Sequence, residues 1–338
     1  MPVVAEHTVS IVVPVYGGAA TLGPLMDEIA PMVDGAESPA GHAFRVAEVV
    51  LVHDRGSDMS DAVCRQLAAE LPWVRVVWLS RNFGQHAATL AGIAATGGAW
   101  IVTLDEDGQH DPAQIGAMLD VAIDQRAQVV YAQVTNAPPH GALRNAASGS
   151  AKWIATHVLT GGNLPTFHSY RLVLGEVGRG MAAFCGSGVY LDVALGWVNA
   201  DVAYCPMAMR DEGDRRSGYS WRRLMSHFWQ LVITAGTRPL RLVSVAGAAF
   251  ALSGFAFAIW TITRRVLNEV AVPGWTSVFV AVLVIGGFLM LAIGIIAEYV
   301  AVAVRMAMGR PLYLTVTDPA DGPLGPLGPT DGAGGPPG

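Results

Sequence analysis

Residues 242–263 and 276–297 each run without a single Asp, Glu, Lys or Arg. A bilayer core takes roughly 20 apolar residues of helix to cross, and only a helix or a closed barrel satisfies its own backbone there. The two stretches therefore predict two transmembrane helices, joined by a short link that carries Arg264, Arg265, Glu269 and the turn-forming pair Pro273-Gly274. Two crossings return the chain to the side it left. Arg238, Arg241, Arg305 and Arg310 flank the outer ends, against Arg264 and Arg265 in the link. That bias places both termini in the cytoplasm of a multi-pass protein of the cell (inner or plasma) membrane.

The spans leave a long N-terminal part to be explained. Of 338 residues, 52% are hydrophobic and 14% charged. This is too apolar for an ordinary soluble chain and too polar for a membrane bundle throughout, so a mixed chain is expected. A net charge of −6 argues against nucleic acid as a partner. Cys64, Cys185 and Cys205 are odd in number and widely spaced, with no Cys-x-x-Cys pair, so neither a disulfide framework nor a zinc site is indicated. The first eight residues lack a basic stretch and an apolar core, so no cleaved signal peptide is expected.

From residue 9 onward, short β-branched runs alternate with helical patterns. Strands are predicted at 9–16, 46–52, 74–79 and 100–104, with helices from Thr21, after Asp58-Met59-Ser60 and over 86–95. Strand and helix alternating over short links is the pattern of a mostly parallel sheet covered on both faces. Such sheets take their ligands at the carboxyl ends of the strands, where Tyr16, Asp54, Arg81 and Asp105 fall.

The last of those ends is acidic: Leu104-Asp105-Glu106-Asp107-Gly108-Gln109-His110-Asp111-Pro112. Asp105 and Asp107 are two apart, so they share a face if strand geometry persists. Oxygen donors clustered this way suit a hard divalent cation able to bridge phosphates. They equally suit a solvated acidic turn.

Four segments together carry a family resemblance. Ile11-Val12-Val13-Pro14-Val15-Tyr16, then Asp54-x-x-x-Asp58, then Leu79-Ser80-Arg81-Asn82-Phe83-Gly84, then Asp105-x-Asp107-x-Gln109-His110-Asp111-Pro112 resemble the family 2 glycosyltransferases of the A-type fold. Within that family the chain is similar to the polyprenyl-phosphate glycosyltransferases, such as dolichol-phosphate mannose synthase and undecaprenyl-phosphate sugar synthases. The fold this implies is α/β: a nucleotide-diphospho-sugar transferase domain with a mostly parallel sheet, followed by two transmembrane helices. The activity implied is inverting transfer of a sugar from a UDP- or GDP-linked nucleotide sugar to a polyprenyl phosphate at the cytoplasmic face. A processive polysaccharide synthase would carry a Gln-x-x-Arg-Trp motif and more spans, which this chain lacks. A catalytically inactive membrane scaffold of the same fold is the reading from a different class.

By resemblance, Pro14, Tyr16, Asp54, Asp105 and Glu106 would line the nucleotide-sugar pocket. Asp107 and Gln109 would hold Mg2+ or Mn2+ on the diphosphate, making Asp107 catalytic as well as a metal ligand. Arg215, in Arg215-x-x-Gly218-x-Ser220, matches an arginine loop that closes on the diphosphate, and Arg144 with Ser148 match residues that meet the acceptor phosphate. Forked guanidinium groups suit both tasks. The resemblance also leaves room for a homo-oligomer, a tetramer packed through its spans.

The chain departs from the family at several places. Gly17 and Gly18 stand where an acidic residue or amide is usual, Arg55 and Gly56 where small polar residues are usual, and Gln133 in place of an arginine. The carboxylate often placed before a Phe-Arg-Leu triplet has no equivalent in His168-Ser169-Tyr170-Arg171-Leu172. An ionised phosphate acceptor has a second pKa near ~6 and needs no strong base; His168 is the one substitute on offer. Residues 1–218 are thus expected as the cytosolic catalytic domain. Residues 219–238, with Trp221, Met225, Phe228 and Val232 at helical spacing and Arg222, Arg223 and His227 between them, read as an interfacial amphipathic helix. The spans fill 239–308. The Pro/Gly-rich residues 309–338 are expected to be disordered.

Overall fold

The structure, a computed structural model, describes residues 6–56, 58–135, 168–186, 191–198, 201–210, 274–308 and 311–322, with scattered positions between 243 and 267. The described residues below 211, together with 311–322, form one compact unit; those between 243 and 308 form a second.

The first unit is built on a nine-stranded sheet. Its strands are β1 (His7–Val15), β2 (Ala36–Glu37), β3 (Ala43–His53), β4 (Val74–Leu79), β5 (Trp100–Thr103), β6 (Val129–Val134), β7 (Arg171–Leu174), β8 (Val202–Met207) and β9 (Thr315–Val316). They lie in the order β8-β6-β7-β5-β1-β3-β4-β9, with β2 paired to β3. The four central strands β5, β1, β3 and β4 are parallel. Their sequences show why: Val9, Ile11, Val12, Val13 and Val15 of β1 and Val49 to Val52 of β3 are fully buried, the continuous apolar run of strands covered on both faces.

Successive residues of β1 feed two different cores. Val9, Ile11, Val13 and Val15 pack with α1 (Leu22–Ile29), α2 (Ser60–Glu70) and α4 (Ile115–Asp124). Val12 packs with α3 (Gln85–Ala95), α5 (Gly175–Phe184) and α6 (Leu191–Val198). This is the two-sided consequence of the strand repeat.

Two features depart from a simple doubly wound sheet. β7 enters antiparallel between β5 and β6, with Thr103 opposite Arg171. At the other edge, β9 pairs antiparallel with β4, Val316 opposite Trp78 and Thr315 opposite Leu79. The second feature corrects the expectation of a tail without structure from 309 onward. Residues 311–322 return to the first unit because Leu312 and Tyr313 pack against its core and Asp318 finds an ionic partner in Arg65.

In the second unit, α7 (Trp275–Ala307) is one continuous helix of 33 residues, longer than the 276–297 expected from charge alone. The Ala-Val run after Tyr299 continues the helix instead of ending it. Within it, Val284–Val304 is long and apolar enough to cross a membrane, and none of that window is buried inside the protein. Over 242–263 a shorter apolar helix, Gly247–Phe257, is described. The interfacial helix predicted for 219–238 lies outside the described residues.

Candidate active site

The sheet reverses its winding at β1, whose neighbours β3 and β5 lie on either side. The crevice beyond the carboxyl ends of these strands is where open α/β sheets bind ligands. Tyr16, Asp54 and Asp105 follow β1, β3 and β5 there, as their positions in the sequence predict.

Asp54 is buried, 3% exposed. Its two carboxylate oxygens accept the backbone N–H groups of Phe83 and Gly84, each at 2.7 Å. Burial raises its pKa, while those two N–H groups and Arg81 pull it back. Asp54 therefore fixes the loop from β4 to α3, and Arg81 in that loop stacks on Phe83 at 4.0 Å. Beside it, His53 Nε2 and Arg55 Nε are buried with no hydrogen-bond partner among the described residues. Buried polar atoms are ordinarily paired, so these two stand out beside Asp54.

The next loop is braced by Asp58, whose Oδ2 accepts the N–H of Ala19 and whose Oδ1 accepts from the Ser60 backbone and hydroxyl. Those contacts hold its carboxyl below the usual range despite some burial. Gly56 explains one departure from the family pattern: a Cβ there would lie 1.6 Å from the Tyr16 carbonyl oxygen.

Asp105 is held from two sides. Gln85, the first residue of α3, donates to Oδ1 at 2.6 Å, and the Ser169 hydroxyl donates to Oδ2 at 2.6 Å. Its own N–H donates to His110 Nδ1 at 3.0 Å. His110 is buried against Tyr170, ring centroids 4.9 Å apart and nearly parallel, and Tyr170 in turn donates to the Asp111 carbonyl at 2.8 Å. Ser169 thus fills, with a hydroxyl, the neighbourhood in which the family carboxylate is missing. His168 lies close by, its ring 5.4 Å from that of His110. Its Nδ1 accepts the Tyr170 N–H at 3.1 Å, and burial, aided by His110, pushes its pKa down to about 4.

Glu106 turns back toward β1. Oε2 accepts the Tyr16 N–H at 3.0 Å and Oε1 the Gly17 N–H at 2.9 Å. Asp107 is exposed, and its Oδ1 accepts the Gln109 N–H at 3.0 Å. Its second oxygen carries no hydrogen bond to any described residue. A hard divalent cation fits that donor chemistry: one carboxylate and one amide, with phosphate and water oxygens completing the shell. No cluster of three or more His, Cys, Asp or Glu suited to a metal occurs among the described residues, so a cation here would draw most of its ligands from elsewhere. Tyr16 is half exposed at 50%, and Pro14 lies within β1. Arg144, Ser148 and Arg215 lie outside the described residues.

Several residues of this site carry no motif of their own. Gln85 and Ser169 hold Asp105. Behind them, buried Arg171 donates Nε–H to the Thr103 hydroxyl at 3.1 Å and pairs through Nη1 with Asp192 of α6. Asp192 also accepts the Tyr131 hydroxyl at 2.9 Å.

The chain is similar in sequence to known proteins. Residues 10–184 match glycosyl transferase family 2. An undecaprenyl-phosphate 4-deoxy-4-formamido-L-arabinose transferase of Pseudomonas paraeruginosa is 30% identical over 321 residues, covering 90% of this chain and 88% of the relative. Its counterpart in Sodalis glossinidius is 28% identical over 333 residues, covering 94% and 95%. Among solved structures, mannosyl-3-phosphoglycerate synthase of Rubrobacter xylanophilus aligns with a TM-score of 0.49 at 15% identity, over 70% of this chain and 74% of that one. The family match begins in β1, takes in Asp54, Asp105 and Asp107, and ends with α5, so it spans the sheet edge just described: the chain belongs to glycosyl transferase family 2 and has its A-type α/β nucleotide-sugar transferase fold.

Proposed function

We propose that the protein transfers a sugar, with inversion, from a UDP- or GDP-linked nucleotide sugar to a polyprenyl phosphate, at the cytoplasmic face of the cell membrane. The observation that carries this is the sheet edge where Tyr16, Asp54, Asp105 and Glu106 meet, in a chain related over nine-tenths of its length to a transferase acting on undecaprenyl phosphate.

The nucleoside half of the donor sits at the ends of β1 and β3, against Pro14, Tyr16 and the loop held by Asp54. Asp105, fixed from both sides by Gln85 and Ser169, presents a rigid carboxylate to the nucleotide. Asp107 and Gln109 would hold Mg2+ or Mn2+, which would supply charge neutralisation for a departing nucleoside diphosphate. Arg215 adds a guanidinium to the same diphosphate, and Arg144 with Ser148 orient the acceptor phosphate. The ionised acceptor oxygen then attacks the anomeric carbon in line as the bond to the diphosphate breaks. Positioning and electrostatic stabilisation do the work, because a phosphate with a second pKa near ~6 arrives already deprotonated.

The apolar helix α7, with a second span over 242–263, anchors the protein in the membrane that carries the lipid acceptor. Membranes carrying the protein, incubated with a panel of nucleotide sugars, undecaprenyl phosphate and Mn2+, should yield one glycosylated lipid identifiable by mass. No lipid product with any UDP- or GDP-sugar would refute the assignment.

A further inference from the structure

The segment that follows α7 in sequence closes the open edge of the catalytic sheet beside the loop that Asp54 holds. β9 pairs with Trp78 and Leu79 at the end of β4, and the Leu314 carbonyl accepts the N–H of Ser80 at 2.9 Å. Ser80 is the first residue of the loop whose last two N–H groups, those of Phe83 and Gly84, bind Asp54. Leu312 and Tyr313 pack in the same apolar cluster as Leu79 and Phe83. The segment therefore holds this loop at its start by a hydrogen bond and shares an apolar cluster with its Phe83.

Its far end is locked by charge. Arg65 of α2 donates Nε–H to Asp318 Oδ2 at 2.7 Å and Nη2–H to Oδ1 at 2.9 Å, a forked pair of the kind that fixes direction as well as distance. The same guanidinium donates Nη1–H to Asp61 at 2.9 Å and lies over the Trp78 ring at 4.8 Å. Trp78 packs on His53 with ring centroids 5.1 Å apart, and His53 immediately precedes Asp54. Asp318 also stiffens its own turn, accepting the Ala320 N–H at 2.9 Å. A flexible Pro/Gly-rich tail would need none of these contacts.

We propose that Asp318, acting through Arg65, is a positioning residue for donor binding: it clamps residues 311–322 onto β4 and so sets the Ser80–Gly84 loop and Asp54. The clamp ties the nucleotide pocket to the stretch of chain that follows α7 in sequence. This rests on the reading of that pocket as a nucleotide-sugar site, but its mechanical part does not.

The experiment uses the full chain in detergent micelles, as wild type, Asp318→Asn and Asp318→Glu. Hydrogen exchange is followed in peptides covering residues 80–84, with peptides covering residues 11–15 of β1 as control. Binding of UDP and of GDP with Mn2+ is measured in parallel. Asp318→Asn should speed exchange over 80–84 about fivefold, the effect of losing one partly shielded ion pair, leave β1 unchanged, and weaken the nucleotide that the wild type binds by a similar factor. Asp318→Glu should restore much of both. Unchanged exchange over 80–84 in Asp318→Asn would overturn the clamp. Faster exchange with unchanged nucleotide affinity would overturn its role in donor binding. A wild type that binds neither nucleotide would instead sink the glycosyltransferase reading, with the exchange arm still deciding the clamp.

Discussion

Glu106 Oε1 accepts the backbone N–H of Gly17 at 2.9 Å, and the two residues are 89 apart in sequence. With Oε2 on the Tyr16 N–H, the side chain ties the loop after β5 to the loop after β1. Gly18, one of the two glycines that depart from the family pattern after Tyr16, becomes intelligible here. A Cβ on Gly18 would lie 2.5 Å from Glu106 Oε2 and 3.2 Å from its Cβ, so any larger residue would push the brace aside.

The two positions should therefore be coupled. Glu106→Ala should cost about 1–2 kcal/mol, as two partly exposed backbone donors lose a charged acceptor. Gly18→Ala should cost a comparable amount in the wild type but much less in the Glu106→Ala background, where no side chain remains to displace. Thermal denaturation of the four proteins in one detergent measures this cycle. Additive losses would show that Gly18 is kept for another reason.

Asp107 differs from its neighbours in being exposed, with one hydrogen bond among the described residues, from the Gln109 N–H. Asp107→Asn retains an acceptor for that bond and should leave the melting temperature within about 1–2 °C, since surface changes are usually small. It should nonetheless abolish divalent-dependent transfer and lower Mn2+ affinity by at least about tenfold, read from the free-ion electron paramagnetic resonance signal in the presence of nucleotide. Near wild-type Mn2+ binding by the variant would remove Asp107 from the metal site.

How much of this was legible in the sequence depended on the range of the interaction. The β-branched runs at 9–15, 49–52 and 100–103 carry their burial in their own residues, so β1, β3 and β5 and the acidic edge beyond them were readable. β9 was not: two residues, Thr315 and Val316, offer no periodicity, and their place beside β4 depends on Arg65 meeting Asp318 across 253 residues. The partners of Asp105 were hidden for the same reason. Gln85 is an ordinary first residue of a helix, and Ser169 belongs to a strand entry that runs antiparallel into an otherwise parallel region. The place of Glu106 just after β5 is readable from the sequence, whereas its grip on Tyr16 and Gly17 depends on how two loops fold back on each other.

Arg171 gives a test of the buried scaffold behind the site. It is 6% exposed, and Asp192 is the carboxylate paired with it. Asp192→Ala would strand a buried guanidinium and leave the Tyr131 hydroxyl without its acceptor. Breaking one side of a buried pair typically costs about 3–5 kcal/mol, so the denaturant midpoint should fall far more than for Asp107→Asn. The double replacement Arg171→Met with Asp192→Leu should recover part of the loss, because no charge then remains unpaired. A loss below about 1 kcal/mol for Asp192→Ala would mean that Arg171 reaches water or another acceptor.

His168 bears on whether this transferase needs a base. Burial and the neighbouring His110 push its pKa down to about 4 from an ordinary 6.5. A histidine depressed in the folded state contributes stability that is present above pH 6.5 and lost as pH falls toward 4, because the unfolded chain takes up the proton first. Wild type should therefore lose up to about 2 kcal/mol more than His168→Ala between pH 6.5 and 4, after allowance for partial exposure. The same depression makes the imidazole a weak proton acceptor at neutral pH. His168→Ala should slow transfer less than about tenfold, below the ~10²–10⁴ that general acid–base catalysis contributes. In both proteins activity should fall below about pH 6, as the acceptor phosphate takes up its second proton. A loss of a thousandfold in His168→Ala, with that acid limb gone, would make His168 the base and end the account in which an ionised acceptor needs none.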